Sequence, residues 1–132
     1  MYYHCIIILV TPKYSTTLWH YLQNNDDLSI NSLIDRLEML KKIIQGKTTE
    51  SYNHFDIKPT NIFINETEGK WNGDLVLADF GIGEVGFTTH GCGTSGFASP
   101  EQISSEAGSA SDTYSIGKGK YKLKIVSSIL KF

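Results

Sequence analysis

Two kinds of apolar pattern alternate along this chain. Residues 5 to 10 form a continuous, mostly β-branched apolar run that Thr11-Pro12 breaks, which predicts a buried strand leading into a connector. Ser15-Thr16-Thr17 can cap a short helix whose apolar face is Leu18, Trp19, Tyr21 and Leu22, and the polar stretch Asn24-Asn25-Asp26-Asp27 ends it. After Ser29, apolar residues recur at Ile30, Leu33, Ile34, Leu37, Leu40, Ile43 and Ile44. These steps predict a longer helix with one apolar face, which needs a core to cover it. Residues 61 to 64 and 75 to 78 read as two short strands joined by a polar turn over 66 to 74. From Ser111 a further helix begins, with Gly117 and Gly119 expected to interrupt it.

Composition narrows the class without naming a function. With 40% hydrophobic and 20% charged residues, the chain is ordinary for a soluble protein and is neither collagenous, coiled-coil nor broadly disordered. Its formal net charge of -2 argues against nucleic acid as the main partner. Lys118, Lys120, Lys122, Lys124 and Lys131 crowd the last fifteen residues, which carry no acid; a solvated face is the expected reading of such spaced lysines. Cys5 and Cys92 form neither a zinc pattern nor a disulfide framework, so a reducing compartment fits, cytosol or nucleus. The apolar run at 5 to 10 is far too short to span a bilayer or to serve as a signal-peptide core.

The chemistry concentrates in His54-Phe55-Asp56-Ile57-Lys58-Pro59-Thr60-Asn61, followed by Asp79-Phe80-Gly81 and then Ser99-Pro100-Glu101. An aspartate, an asparagine five residues later and a second aspartate at a strand end can place a hydroxyl-activating carboxylate beside two hard oxygen ligands. The joint spacing of Asp56, Lys58, Pro59 and Asn61 arises by chance at about one position in a hundred thousand at ordinary composition. That rarity outweighs the bland readings of each residue as a cap or turn.

These motifs resemble the eukaryotic protein kinase family of serine/threonine type, over residues 1 to 117. The resemblance implies an α+β, protein-kinase-like fold, mostly the helical large lobe with short antiparallel strands and with the small lobe largely absent. Residues 118 to 132 are then a lysine-rich tail without assigned structure, and the chain is expected to be a fragment of a domain roughly twice as long. It further implies ATP and Mg2+ as cofactors and a protein bearing serine or threonine as substrate. Asp56 would be the catalytic base, and Lys58 the charge partner of the transferred group. Asn61 and Asp79 would be the magnesium ligands, and Thr94 would be the substrate-loop residue bridging Asp56 and Lys58. The hinge over residues 10 to 14, through Val10, Thr11 and Lys13, would meet the adenine edge, although Pro12 removes one donor. His54 and Phe80 would pack to fix neighbouring groups, Glu101 would anchor the end of the activation segment, and Asp112 would bind catalytic-loop amides.

Three departures from the family pattern bear on function. Phe55 stands where the family usually has an arginine that reads a phosphorylated activation segment, so phosphate on Thr88 or Thr89 should matter less. Glu101 has no later arginine to pair with, since Arg36 is the chain's only one. The glycine patterns beginning at Gly81 and Gly91 do not open a strand-to-lysine unit, and no other glycine loop precedes a strand lysine. The expected function is therefore serine/threonine kinase-like, with the chain by itself inactive. The alternatives are a kinase-derived binding module or a truncated product without function. Apolar helix faces left uncovered would favour self-association.

Overall fold

A computed structural model describes residues 10–25, 30–47, 52–81, 83–85, 91–104 and 106–122. The expected strand over 5 to 10 (Val10 apart), the phosphate-acceptor candidates Thr88 and Thr89, and the tail beyond Lys122 lie outside them. The elements run β1 (Thr16–Thr17), α1 (Leu18–Asn24), α2 (Ile30–Lys47), β2 (Tyr52–Asn53), a 3-10 turn (Pro59–Asn61), β3 (Ile62–Thr67), β4 (Lys70–Leu77), β5 (Glu84–Val85), α3 (Pro100–Ile103) and α4 (Ser109–Lys122). All pairing is antiparallel: β1-β3-β4 form one sheet and β2-β5 a two-stranded ribbon. This is the α+β arrangement with short antiparallel strands that the sequence implied.

The core lies where α1 and α2 cover the inner face of the three-stranded sheet. Leu18 and Tyr21 from α1, Met39 and Ile43 from α2, and Ile57, Ile62 and Ile64 from the loop and β3 form one buried cluster. Burying side chains of this size stabilises by about 1.5–3 kcal/mol each. Thr17 caps α1 by accepting from the His20 amide, as the Ser-Thr-Thr pattern predicted. The buried Arg36 donates to the Asn25 carbonyl, which ties α2 to the C-terminal end of α1 where carbonyls lack helical partners.

The structure corrects several expectations. Helix α2 buries Arg36, Met39 and the expected face residue Ile43, whereas Ile34 of that face is 52% exposed; the side chains of Ile30, Leu33, Leu37, Leu40 and Ile44 lie outside those described. The turn expected over 66 to 74 is only Glu68-Gly69, with β3 and β4 paired out to Thr67↔Lys70. Both turn residues have positive φ, 53° and 74°, the geometry of a tight two-residue hairpin. The polar residues of β4 therefore belong to a half-solvated strand, not a loop. Finally, α4 runs through Gly117 and Gly119 to Lys122, past the expected boundary at 117. Neither glycine has the positive φ that would end the helix, and Ser111, Asp112 and Ser115 bury its first turns. Among the described residues no helix is long and apolar enough to cross a membrane.

Candidate active site

The loop from 54 to 61 hangs between two supports. Beneath it, Asp112 of α4 is fully buried and accepts the backbone amides of both His54 and Phe55, each at 2.8 Å, one on each carboxylate oxygen. Charged acceptors on buried amides are among the stronger hydrogen bonds a fold can make. Beside it, the His54 ring donates through Nε2 to the Ala78 carbonyl at 2.8 Å and accepts the Asp56 amide on Nδ1 at 3.2 Å. One imidazole thus joins the loop to the strand end that precedes Asp79. Phe80 lies against that ring, with centroids 4.5 Å apart.

These supports hold Phe55 at φ 62°, a left-handed conformation that a bulky side chain rarely adopts. Its ring is buried, so the phenylalanine that replaces the family's arginine serves as packing. The reversal at Phe55 turns the Asp56 side chain into a cluster of polar groups. Thr94 Oγ1 donates to Asp56 Oδ1 at 2.5 Å, Lys58 Nζ lies 2.7 Å from Oδ2, and Asn61 Nδ2 donates to Oδ2 and to the Asp56 carbonyl, both at 3.0 Å. Lys58 also donates to Thr94 Oγ1 at 2.6 Å. Asp56, Lys58, Asn61 and Thr94 therefore converge, and Thr94 bridges the first two.

Burial pushes the Asp56 carboxyl up. The Lys58, Thr94 and Asn61 hydrogen bonds and the Lys58 charge together outweigh that, leaving it below the ordinary aspartate value. A carboxylate offers about four acceptor positions. Thr94, Lys58 and Asn61 take three of them, which leaves one for a further hydroxyl.

Asp79 follows Ala78, whose amide bonds the Asn61 carbonyl at 2.9 Å, so the backbone brings Asp79 next to Asn61. It is exposed at φ 63° and its Oδ1 reaches over Gly81. Both protons of the Asn61 amide point at Asp56, which leaves its Oδ1 as a hard acceptor. One carboxylate and one amide oxygen fit magnesium, which keeps most of its shell for water and phosphate. The described residues hold no cluster of three or more His, Cys, Asp or Glu that would make a site of the all-protein kind.

The hinge candidates Val10, Thr11 and Lys13 are all exposed and lie outside any helix or strand. Glu101 sits in α3, half-buried, and its carbonyl accepts the Glu106 amide. After Gly83 comes a strand, β5, and after Gly93 a turn in which Thr94 O accepts from Phe97 and Ala98; neither opens a helix that could cradle phosphate.

Sequence reasoning missed Gln102, Ser111 and Ser115, all buried. Ser99, which stands where the family usually has alanine, caps α3 by accepting the Gln102 amide and donates to Ser111 Oγ. Ser115 Oγ donates to the Phe97 carbonyl at 2.9 Å. The legible signal was Ser99-x-x-Gln102, a capping-box pattern whose glutamine side chain, not used in the cap, was free to act elsewhere.

Comparison with known proteins agrees with this geometry. The family model described as "Protein kinase domain" matches residues 4–131. The chain is 32% identical over 108 residues to serine/threonine-protein kinase PknA of Mycobacterium tuberculosis, an alignment covering 76% of this chain and 24% of that protein. It is 33% identical over 79 residues to the serine/threonine-protein kinase US3 homologs of Cercopithecine herpesvirus 9 and of Varicella-zoster virus. Those alignments cover 60% of this chain and 21% and 19% of the viral proteins. The chain thus spans about a quarter or less of the length of these curated relatives.

Proposed function

The chain belongs to the protein kinase family, and on that premise we propose that it carries the substrate-orienting part of a serine/threonine kinase that moves a phosphoryl group from MgATP to a protein hydroxyl. The carrying observation is the Asp56 carboxylate, held by Thr94, Lys58 and Asn61 with one acceptor position left over. In this reading the substrate hydroxyl donates to Asp56. As its oxygen bonds the terminal phosphorus, the bond to the leaving diphosphate breaks and the proton passes to Asp56. A carboxyl below its usual range stays ionised at neutral pH and orients the hydroxyl, taking the proton late. Lys58 offsets charge on the moving phosphoryl group, as a lysine two residues on can. Asn61 and Asp79 would hold magnesium, which supplies charge neutralisation between the nucleotide phosphates.

The 132 residues contain no glycine-rich loop preceding a strand lysine. The transfer proposed here therefore draws phosphate cover from a small lobe outside them, and the chain alone should be inactive. Val10, Thr11 and Lys13 would meet the adenine. Ile34 and Ile103, both exposed, support a proposal of self-association. Cysteine usage supports a cytosolic or nuclear setting. The test is peptide phosphorylation by a protein that joins this chain to a kinase small lobe. Asp56→Ala should lower turnover by at least ~100-fold, the lower end of what a positioned base contributes. Equal turnover in the two proteins would end the proposal, and so would nucleotide binding without any transfer.

A further inference from the structure

We infer that Gln102 is a positioning residue that latches the substrate loop onto the peptide preceding Asp56. Gln102 is fully buried, and its Nε2 donates to the Phe55 carbonyl and lies 3.7 Å from Cys92 Sγ. The Phe55 carbonyl belongs to the same peptide plane as the Asp56 amide. Fixing that oxygen fixes the plane from which Asp56 projects, while Asp112 fixes the other side of Phe55 through its amide. The left-handed Phe55 is thus gripped at both backbone polar groups by buried side chains from α3 and α4, as a residue in a sparsely populated conformation requires.

Two further observations carry the latch. Gln102 Oε1 is buried without a partner among the described residues. Turning the amide over would set its oxygen against the Phe55 oxygen and leave its nitrogen in the partnerless position, so the orphan acceptor is the cost of aiming Nε2 at the loop. Gly93, at φ 94°, passes so close that a Cβ there would run into the Gln102 amide and come within 2.9 Å of the Phe55 oxygen. Substrate loop, glutamine and catalytic-loop peptide are therefore in direct contact, one residue before Thr94 reaches Asp56. This contact uses a neutral amide on the backbone of the residue that replaces the family's charged reader.

The inference rests on the phosphoryl-transfer reading for its catalytic meaning, but its geometry can be tested without activity. Cys92 is half-buried against Gln102, so its rate of alkylation, resolved from Cys5 by peptide mapping, reports whether the substrate loop is latched. Gln102→Met keeps the volume and removes the donor. It should speed Cys92 alkylation about tenfold, the effect of one ordinary buried hydrogen bond on an opening equilibrium. In the small-lobe fusion it should lower kcat by a similar factor with KM for ATP unchanged.

Gln102→Glu supplies a second arm should the methionine variant fail to fold. Ionised, its carboxylate opposes the Phe55 oxygen; protonated, it donates there. Its Cys92 rate relative to the unsubstituted protein should exceed one at about pH 9.5 and fall toward one as the pH approaches about 7, the range in which a buried carboxyl titrates. An unchanged Cys92 rate in Gln102→Met, or a rate ratio in Gln102→Glu that does not move with pH, overturns the latch. Loss of latching without any measurable phosphoryl transfer in the unsubstituted fusion would instead overturn the functional reading and leave the latch standing.

Discussion

The floor of the site and the segments that carry the proposed nucleotide contacts are built in opposite ways. On the floor, the backbone of His54, Phe55 and Asp56 is bonded by buried side chains from α3, α4 and the loop itself, and the Asp56 carboxylate is held by three donors. By contrast, Val10, Thr11, Lys13, Asp79 and Phe80 are exposed. Preorganisation is worth most where an acceptor must be aimed before substrate arrives. A magnesium ligand that completes its shell with water and phosphate gains little from being locked beforehand. The chain therefore invests its buried polar groups in aiming Asp56, while the residues proposed to meet MgATP stay exposed.

The comparison breaks first at Asp112. Asp112→Ala strands two buried amides, and a urea melt should show a loss of about 4 kcal/mol, the sum of two unsatisfied donors. Asp112→Asn keeps one acceptor and should lose roughly half of that. A loss below about 1 kcal/mol for the alanine variant would mean that the loop finds other partners and that the floor is not locked by α4.

Acid should weaken the floor in a defined window. Asp56 has a folded value below the ordinary 3.8, so the fold favours its ionised form. That contribution is fully present above the unfolded value and is lost as the pH falls through the lower folded one. Urea midpoints measured downward from pH 5 should therefore drop below about pH 4, and the drop should be smaller in Asp56→Asn. Parallel profiles for the two proteins would remove Asp56 from the account of acid stability.

The smallest effect is expected on the open side. Asp79→Asn, which keeps a residue type tolerated at φ 63°, should change stability by no more than about 0.5 kcal/mol, as exposed substitutions do, while weakening magnesium-dependent nucleotide binding in the small-lobe fusion. A large stability loss there would show that Asp79 is part of the locked floor after all.

Much of this was legible in the sequence, unevenly. Asp56, Lys58 and Asn61 could be placed because rigid spacing within one loop carries over into space, whereas Thr94, 38 positions from Asp56, was placed by the family resemblance. The bond from Asp112 to loop amides was anticipated as well, but on family resemblance alone, since nothing local links residues 58 positions apart. Gln102 was missed for the same reason: its partner is the Phe55 carbonyl, and backbone acceptors leave no mark in a sequence. The length of the β3-β4 hairpin was misjudged because Asn72, Gly73 and Asp74 look like turn residues, while the pairs Glu66↔Trp71 and Ile64↔Leu75 on either side carry the strand across them through a shift of register. Helix α4 was cut short on the cost of glycine in a helix, about 1 kcal/mol each, which its buried first turns outweigh.

Residue-resolved amide hydrogen exchange tests the contrast most directly. With Asp112 on both amides, His54 and Phe55 should exchange among the slowest in the chain, close to the global unfolding limit, while Thr11 and Lys13 exchange at rates near those of an open chain. His54 and Phe55 amides exchanging as fast as Thr11 and Lys13 would contradict the claim that this loop is held ready by the fold.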